Sequence, residues 1–374
     1  MVTKNVALIV GVALSAESAM AAGLERVNLD AGFLFGDDGI EISQGQVTPS
    51  FSPVSTNGLE YSKSDVANEF NVTTLSLSKR LSDKLTAGLW HTTSGNGVNI
   101  DYGTVGLALL NESGALKADL SMPTTALMVK YDYTDQISLL GGVKRVSVSG
   151  GSLSLPLDTN ANSVPDASLS WSLGSKSGSG AVVGVAYEIK DIALRVSVLH
   201  EQNITLNVAA TGITPGLTAS GATLSSIGDA TSVNFQTGIA KDTLIFGSVR
   251  MSNWNDNQVA LPLGTLAGGG FSEVSSFDDG RHYTIGIGRK FSDTLSASLS
   301  YYYADGEGAG ASELSPYGDT RTVSAGVKYS ISPKADLSIG YSHSERGDAT
   351  TGEVAASFTD SVVRSFGLKL SMKM

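Results

Sequence analysis

The sequence predicts an all-β protein: a transmembrane antiparallel β-barrel of about 14 strands with a short N-terminal hatch in the lumen. Apolar and polar residues alternate in run after run, and the connections between runs are tight and long by turns. No segment supplies the ~20 apolar residues that a spanning helix needs.

The chain opens with Lys4, an apolar run from Val6 to Leu14 and small residues ending at Ala19-Met20-Ala21, the layout of a secretory signal peptide over 1–21. The expected mature chain starts at Ala22, with 22–39 as hatch and 40–374 as barrel. The full sequence has 25 Lys+Arg against 36 Asp+Glu, a net charge of -11 that removal of Lys4 and Glu17 leaves unchanged and that argues against nucleic acid as a partner. With no cysteine there is no disulfide, so hydrogen bonds and packing alone must hold a secreted chain together. Composition, with 43 Gly and 16% charged residues, is poor material for helices and fits a soluble secreted β-protein as well as a barrel.

Period-two runs such as Leu295-Ser296-Ala297-Ser298-Leu299-Ser300-Tyr301 put aliphatic and aromatic groups on one face and Ser, Gly or Lys on the other. Such runs place strands at Ile40–Val54, Phe70–Leu81, Lys84–Thr92, Thr125–Tyr133, Gln136–Ser149, Ser179–Ile189 and Ile192–Asn203. Seven more follow at Ser232–Ala240, Thr243–Trp254, Arg281–Phe291, Thr294–Ala304, Thr320–Ile331, Ala335–Ser344 and Ser361–Met374. Tight turns fall at Ser82-Asp83, Thr134-Asp135, Lys190-Asp191, Lys241-Asp242, Ser292-Asp293 and Pro333-Lys334. The long connections include Thr93–Thr124, Gly150–Gly178 and Asn255–Gly280. Short turns on one side, long loops on the other and an even strand count are the asymmetry of outer-membrane barrels, with both termini in the periplasm. Lipid requires closure, because an open strand edge in hydrocarbon leaves backbone groups unsatisfied.

Several stretches resemble the FadL/TodX family of outer-membrane transporters for long-chain fatty acids and aromatic hydrocarbons. These are "AGLERVNLDAGFLF" from Ala22, "GVAYEIKDIALRVSVLH" from Gly184 to His200, "SVRMSNWND" from Ser248 to Asp256, and "FDDGRHYTIGIGRKFSDTLSASLSYYYADG" with "LSPYGDTRTVSAGVKYSI" after it. The resemblance implies a monomeric 14-stranded barrel in outer-membrane lipid and lipopolysaccharide. It further implies a hatch below a hydrophobic pocket and a lateral gap in the wall through which ligand leaves. Two features depart from the pattern: the hatch lacks an Asn-Pro-Ala turn, and the chain ends in Lys373-Met374 rather than an aromatic residue.

A fatty acyl chain of 16 carbons prefers an apolar site to water by about 12 kcal/mol at ~0.8 kcal/mol per methylene, so a conduit for it needs a dry pocket and a way to release it. Leu24, Val27, Leu29, Phe33, Leu34 and Phe35 form an apolar cluster ahead of the first strand that would plug the lumen, line its pocket or begin a strand. By parity with Leu85, Ala87 and Leu89, Trp90 faces inward, with an interfacial girdle position as the alternative. A carboxylate head calls for an inward cation. Parity sends Lys130, Arg195 and Lys328 inward, where they either meet ligand or pair with acids such as Asp132 and Glu188. Gly88, in the third strand, is a candidate site for a kink in the wall.

Other motifs are weak. The oxygen-rich run Asp158–Asp166 has Ser163 where a calcium loop wants Gly, and Gly178-Ser179-Gly180 opens a strand rather than a helix. His91, His200, His282 and His343 have no metal-ligand spacing and no local nucleophile, so neither a catalytic role nor a cofactor is expected. Long-chain fatty acids are the expected cargo, with aromatic hydrocarbons, a receptor or adhesin barrel and a general porin as the other readings.

Overall fold

The computed structural model describes residues 23–106, 113–157, 167–214, 219–264, 270–306, 309–352 and 354–374. The expected signal segment 1–21, Ala22 and the oxygen-rich run 158–166 lie outside them.

Fourteen strands form the wall: β1 (Gly39–Ser50), β2 (Phe70–Arg80), β3 (Leu85–Asp101), β4 (Lys117–Asp132), β5 (Ile137–Leu157), β6 (Ala167–Ile189) and β7 (Leu194–Glu201), then β8 (Ala230–Ala240), β9 (Thr243–Ser252), β10 (Gly280–Lys290), β11 (Leu295–Ala304), β12 (Thr320–Ser332), β13 (Ala335–Arg346) and β14 (Val362–Lys373). Each pairs antiparallel with its sequence neighbours, and β14 pairs with β1 from Gly39–Lys373 to Ser50–Val362, which closes the ring. Closure leaves no free edge, as a spanning sheet requires.

The alternation follows from the two environments. On β4, Leu127 is 62% exposed on the outer face while Met128 beside it is 2% exposed on the inner one. Val143, Val183, Ile285, Leu299, Val323, Val327 and Ile339 likewise point outward from other strands, an apolar girth that only lipid tolerates. Inward positions carry Ser, Thr, Gly and the paired charges.

All fourteen expected strands are present, and the six tight turns join strands as expected. Two expected long loops are corrected. Much of Thr93–Thr124 is the upper half of β3 and β4, and much of Gly150–Gly178 is the upper half of β5 and β6. Gly and Ser disguise these stretches as loop, yet Val98, Ile100, Leu120, Leu153, Trp171 and Leu173 keep one buried face. Above the wall the connections fold into a cap around Trp171, Trp254, Tyr102, Phe51, Phe277 and Phe358, all essentially solvent-free. Trp171 Nε1 donates to the Pro262 carbonyl at 2.9 Å and Trp254 packs edge-on to Phe277.

Met374 donates its N–H to the Asp38 carbonyl and so ends the chain at the short-turn rim. The first described residue, Gly23, lies instead against the indole of Trp254, at the long-loop end of the lumen.

Candidate lumenal site

Residues 23–36 run inside the barrel. Glu25 bridges Asn96 of β3 and reaches Arg250 of β9, strands on opposite sides of a closed ring that can be touched together only from within. Leu24, Val27, Leu29, Ala31 and Leu34 are buried in one cluster with Trp90, as apolar side chains must be once the lumen is closed to water. Asp30 caps the short 3-10 turn Ala31–Phe35 by accepting from the Gly32 N–H at 2.8 Å. Phe33 and Phe35 are half-buried.

Parity is correct for the three cations predicted to face inward. The structure brings two of them together: the Arg195 guanidinium lies 4.5 Å and the Lys130 ammonium 5.1 Å from the centre of the Phe35 ring, within cation–π reach. Lys130 also pairs with Asp132 at 2.8 Å, and Arg195 donates to Gln236 at 3.0 Å. Lys328, across the barrel, pairs with Asp336 at 3.7 Å.

Higher in the lumen is a buried ion network. Arg250 holds Glu25 at 2.7 Å and Glu201 at 2.5 Å through different nitrogens, and Lys144 closes on the second Glu201 oxygen at 2.5 Å. All four side chains are nearly solvent-free, and two carboxylates balance two cations. His282 Nδ1 lies 4.0 Å from Glu25. The parity that found Arg195 also sends Lys144 inward beside Val143, and Arg250 inward between Val249 and Met251.

Beside this network the wall is incomplete. The β2–β3 ladder runs from Arg80–Thr86 up to Thr74–Thr92 and stops. Over Thr93–Gly95 β3 bulges relative to β4, resuming at Asn96–Met122; there β2 reaches β3 through the Thr73 N–H donated to the Thr93 hydroxyl at 3.0 Å, and main-chain pairing returns at Asn68–Asn99 and Ala67–Ile100. The N-terminal segment fills the gap: Arg26 and Val27 donate N–H groups to the Gly95 carbonyl at 3.0 and 3.1 Å, and the Gly97 N–H donates to Leu24 at 2.8 Å. Arg26 lies 3.9 Å over the Phe70 ring and donates to Ser94 at 3.3 Å. Burial lowers its pKa from the usual guanidinium value to about 10. The break is therefore at Thr93–Gly95 rather than at Gly88, which sits in regular ladder between Ser78 and Met128. Gly88 instead makes room for the segment, since a Cβ there would lie 2.3 Å from Phe33 and 2.7 Å from Leu34.

No family model and no curated protein matches the sequence. Solved structures match along nearly the whole chain. A FadL homologue of Pseudomonas aeruginosa is 14% identical with a TM-score of 0.73, covering 96% of this chain and 98% of that one. The P. putida toluene transporter TodX is 16% identical with a TM-score of 0.64, covering 92% of each chain. The Ralstonia pickettii toluene transporter TbuX is 10% identical with a TM-score of 0.61, covering 96% and 98%. The chain therefore has the barrel fold of the FadL homologue and of the toluene transporters TodX and TbuX.

Proposed function

We propose that this protein is a monomeric outer-membrane channel, without catalytic activity, that admits hydrophobic small molecules, foremost long-chain fatty acids, past a hatch formed by residues 22–39. The observation that carries the reading is the gap between β2 and β3 beside the bulge at Thr93–Gly95, sealed by the N-terminal segment rather than by a neighbouring strand. A hydrophobic ligand entering from the long loops gains little from a water-filled pore. Movement of the hatch gives it an apolar surface and an exit at the level of lipid. The Arg195 and Lys130 cations beside Phe35 suit a ligand with an acidic head and an apolar tail. In this reading the short turns and the C-terminus face the periplasm.

Aromatic hydrocarbons are the second reading, favoured by the fold shared with TodX and TbuX. Expression in a Gram-negative host lacking its own fatty-acid channel separates the two. Labelled oleate taken up above the vector control supports the first, whereas sensitisation to toluene without oleate uptake supports the second. Neither response, with the barrel folded in the membrane, leaves a receptor or adhesin. Large ion conductance in planar bilayers would mark a general porin.

A further inference from the structure

The outer wall carries a feature that transport does not use. On β12 and β14 the outward residues are apolar from the short-turn end upward and then change to arginine, Arg321 above Val323 and Arg364 above Phe366; on β10 the apolar run Ile287, Ile285 and Tyr283 separates Arg289, beside the short turn, from Arg281 at the upper end. The three upper arginines are exposed. Among the described residues none of them forms an ion pair, although Glu345 stands opposite Arg321 and Asp305 opposite Arg281.

The three share one height. Arg281 stands just above the hydrogen-bonded row His282–Ala304–Thr320 and Arg321 just below it, while Arg364 stands below the row Arg321–Glu345–Val362. The turns step the same way: the β10–β11 turn closes at Leu295, level with Tyr329, whereas β12 continues to Ser332. This stagger offsets the strand tilt. Each arginine lies about ten residues above the short-turn end of its strand, roughly 33 Å along a tilted strand, which matches the top of a ~25 Å apolar band. Neighbouring arginines are two strands apart, or roughly 12 Å between Cα atoms.

We propose that Arg281, Arg321 and Arg364 form a binding site for the phosphates of a phosphorylated outer-leaflet lipid, with its acyl chains laid against Tyr283, Ile285, Val323 and Phe366. The inference rests on the outer-membrane placement and is independent of the transported ligand. A protein of net charge -11 has no general attraction for an anionic surface. Three unpaired guanidinium groups are nevertheless gathered at the level of lipid phosphates, and each can hold two phosphate oxygens at once. Their spacing suits a disaccharide headgroup with a phosphate at either end, and the Tyr283 and Tyr303 rings, stacked at 6.3 Å, give a flat apolar floor just below Arg281 and Arg321.

Native mass spectrometry of the whole barrel in non-ionic detergent, titrated with bis-phosphorylated lipid A, tests the site. Wild type is expected to retain one lipid A at least tenfold more tightly than the triple variant R281Q/R321Q/R364Q. R145Q, which removes a lone outward arginine on β5, is expected to bind like wild type. Dephosphorylated lipid A is expected to show no preference for wild type, and inorganic phosphate at equal concentration no competition. Equal binding of lipid A by wild type and triple variant, or an equal loss in R145Q, would overturn the proposal. Should the triple variant fail the heat-modifiability check for a folded barrel, R321Q alone decides, with a severalfold loss expected and no loss fatal. Oleate uptake is scored separately, so a failed lipid site and a failed transport reading give different results.

Discussion

Replacing Glu25 with Ala removes one carboxylate from a buried network of two acids and two cations. Arg250 then retains Glu201 and the Ser232 hydroxyl at 3.0 Å, but Lys144 and Arg250 share a single counter-charge. Breaking a buried pair from one side costs about 3–5 kcal/mol. The segment keeps three main-chain hydrogen bonds to the β3 bulge, each worth about 0.5–1.5 kcal/mol, so the lost ion pair matches all of them together. At about 1.4 kcal/mol per tenfold, the docked segment should open some two to three and a half orders of magnitude more often. The chain has no cysteine, so Ala31→Cys, at a position 6% exposed, gives a clean single label. Maleimide should react slowly with Ala31→Cys alone and at least a hundredfold faster when Glu25→Ala is added, with single-channel conductance rising in parallel. Unchanged labelling in a folded double variant would show that the ion network does not hold the segment in the lumen.

Gly88→Val drives a side chain into Phe33 and Leu34, and against the Leu77 carbonyl of β2, and should destabilise the docked segment by about 1–3 kcal/mol, read as faster Ala31→Cys labelling. Arg195→Gln should lower oleate uptake severalfold while leaving entry of a neutral aromatic intact; equal effects on both would remove the carboxylate role. Ile285→Arg puts a charge on the lipid face at a position 57% exposed and should cost about 2–4 kcal/mol in bilayer unfolding titrations, against almost nothing if that face met water. Asp38 accepts from Lys79 at 2.8 Å and from the Arg80 N–H at 2.7 Å, and these contacts, the lysine first, hold its carboxyl below the usual value. Its contribution is therefore present above the ordinary aspartate value and lost as pH falls from there through the lowered one, so wild type and Asp38→Asn should converge in stability under acid and separate toward neutral pH.

Strand positions were legible because lipid outside and polar packing inside force a period of two, and Leu127 beside Met128 shows the rule at full strength. The same rule identified Lys130, Arg195 and Lys328 as inward. It lost the upper halves of β3 to β6, where Gly and Ser weaken the apolar contrast above the membrane. It also missed the Glu25–Arg250 pair: the two residues are 225 apart in sequence, and nothing local to either announces the other. The bulge at Thr93–Gly95 was hidden for a related reason. Its partner is not the adjacent strand but the N-terminal segment, and a polar Thr-Thr-Ser-Gly run reads as loop when that partner is unknown.

Because β14 zips onto β1 around residues that precede β1, the cylinder shuts around residues 23–36 of its own chain. A label carried at Gly23 would therefore sit within the closed cylinder, whereas one joined after Met374 would lie at the rim.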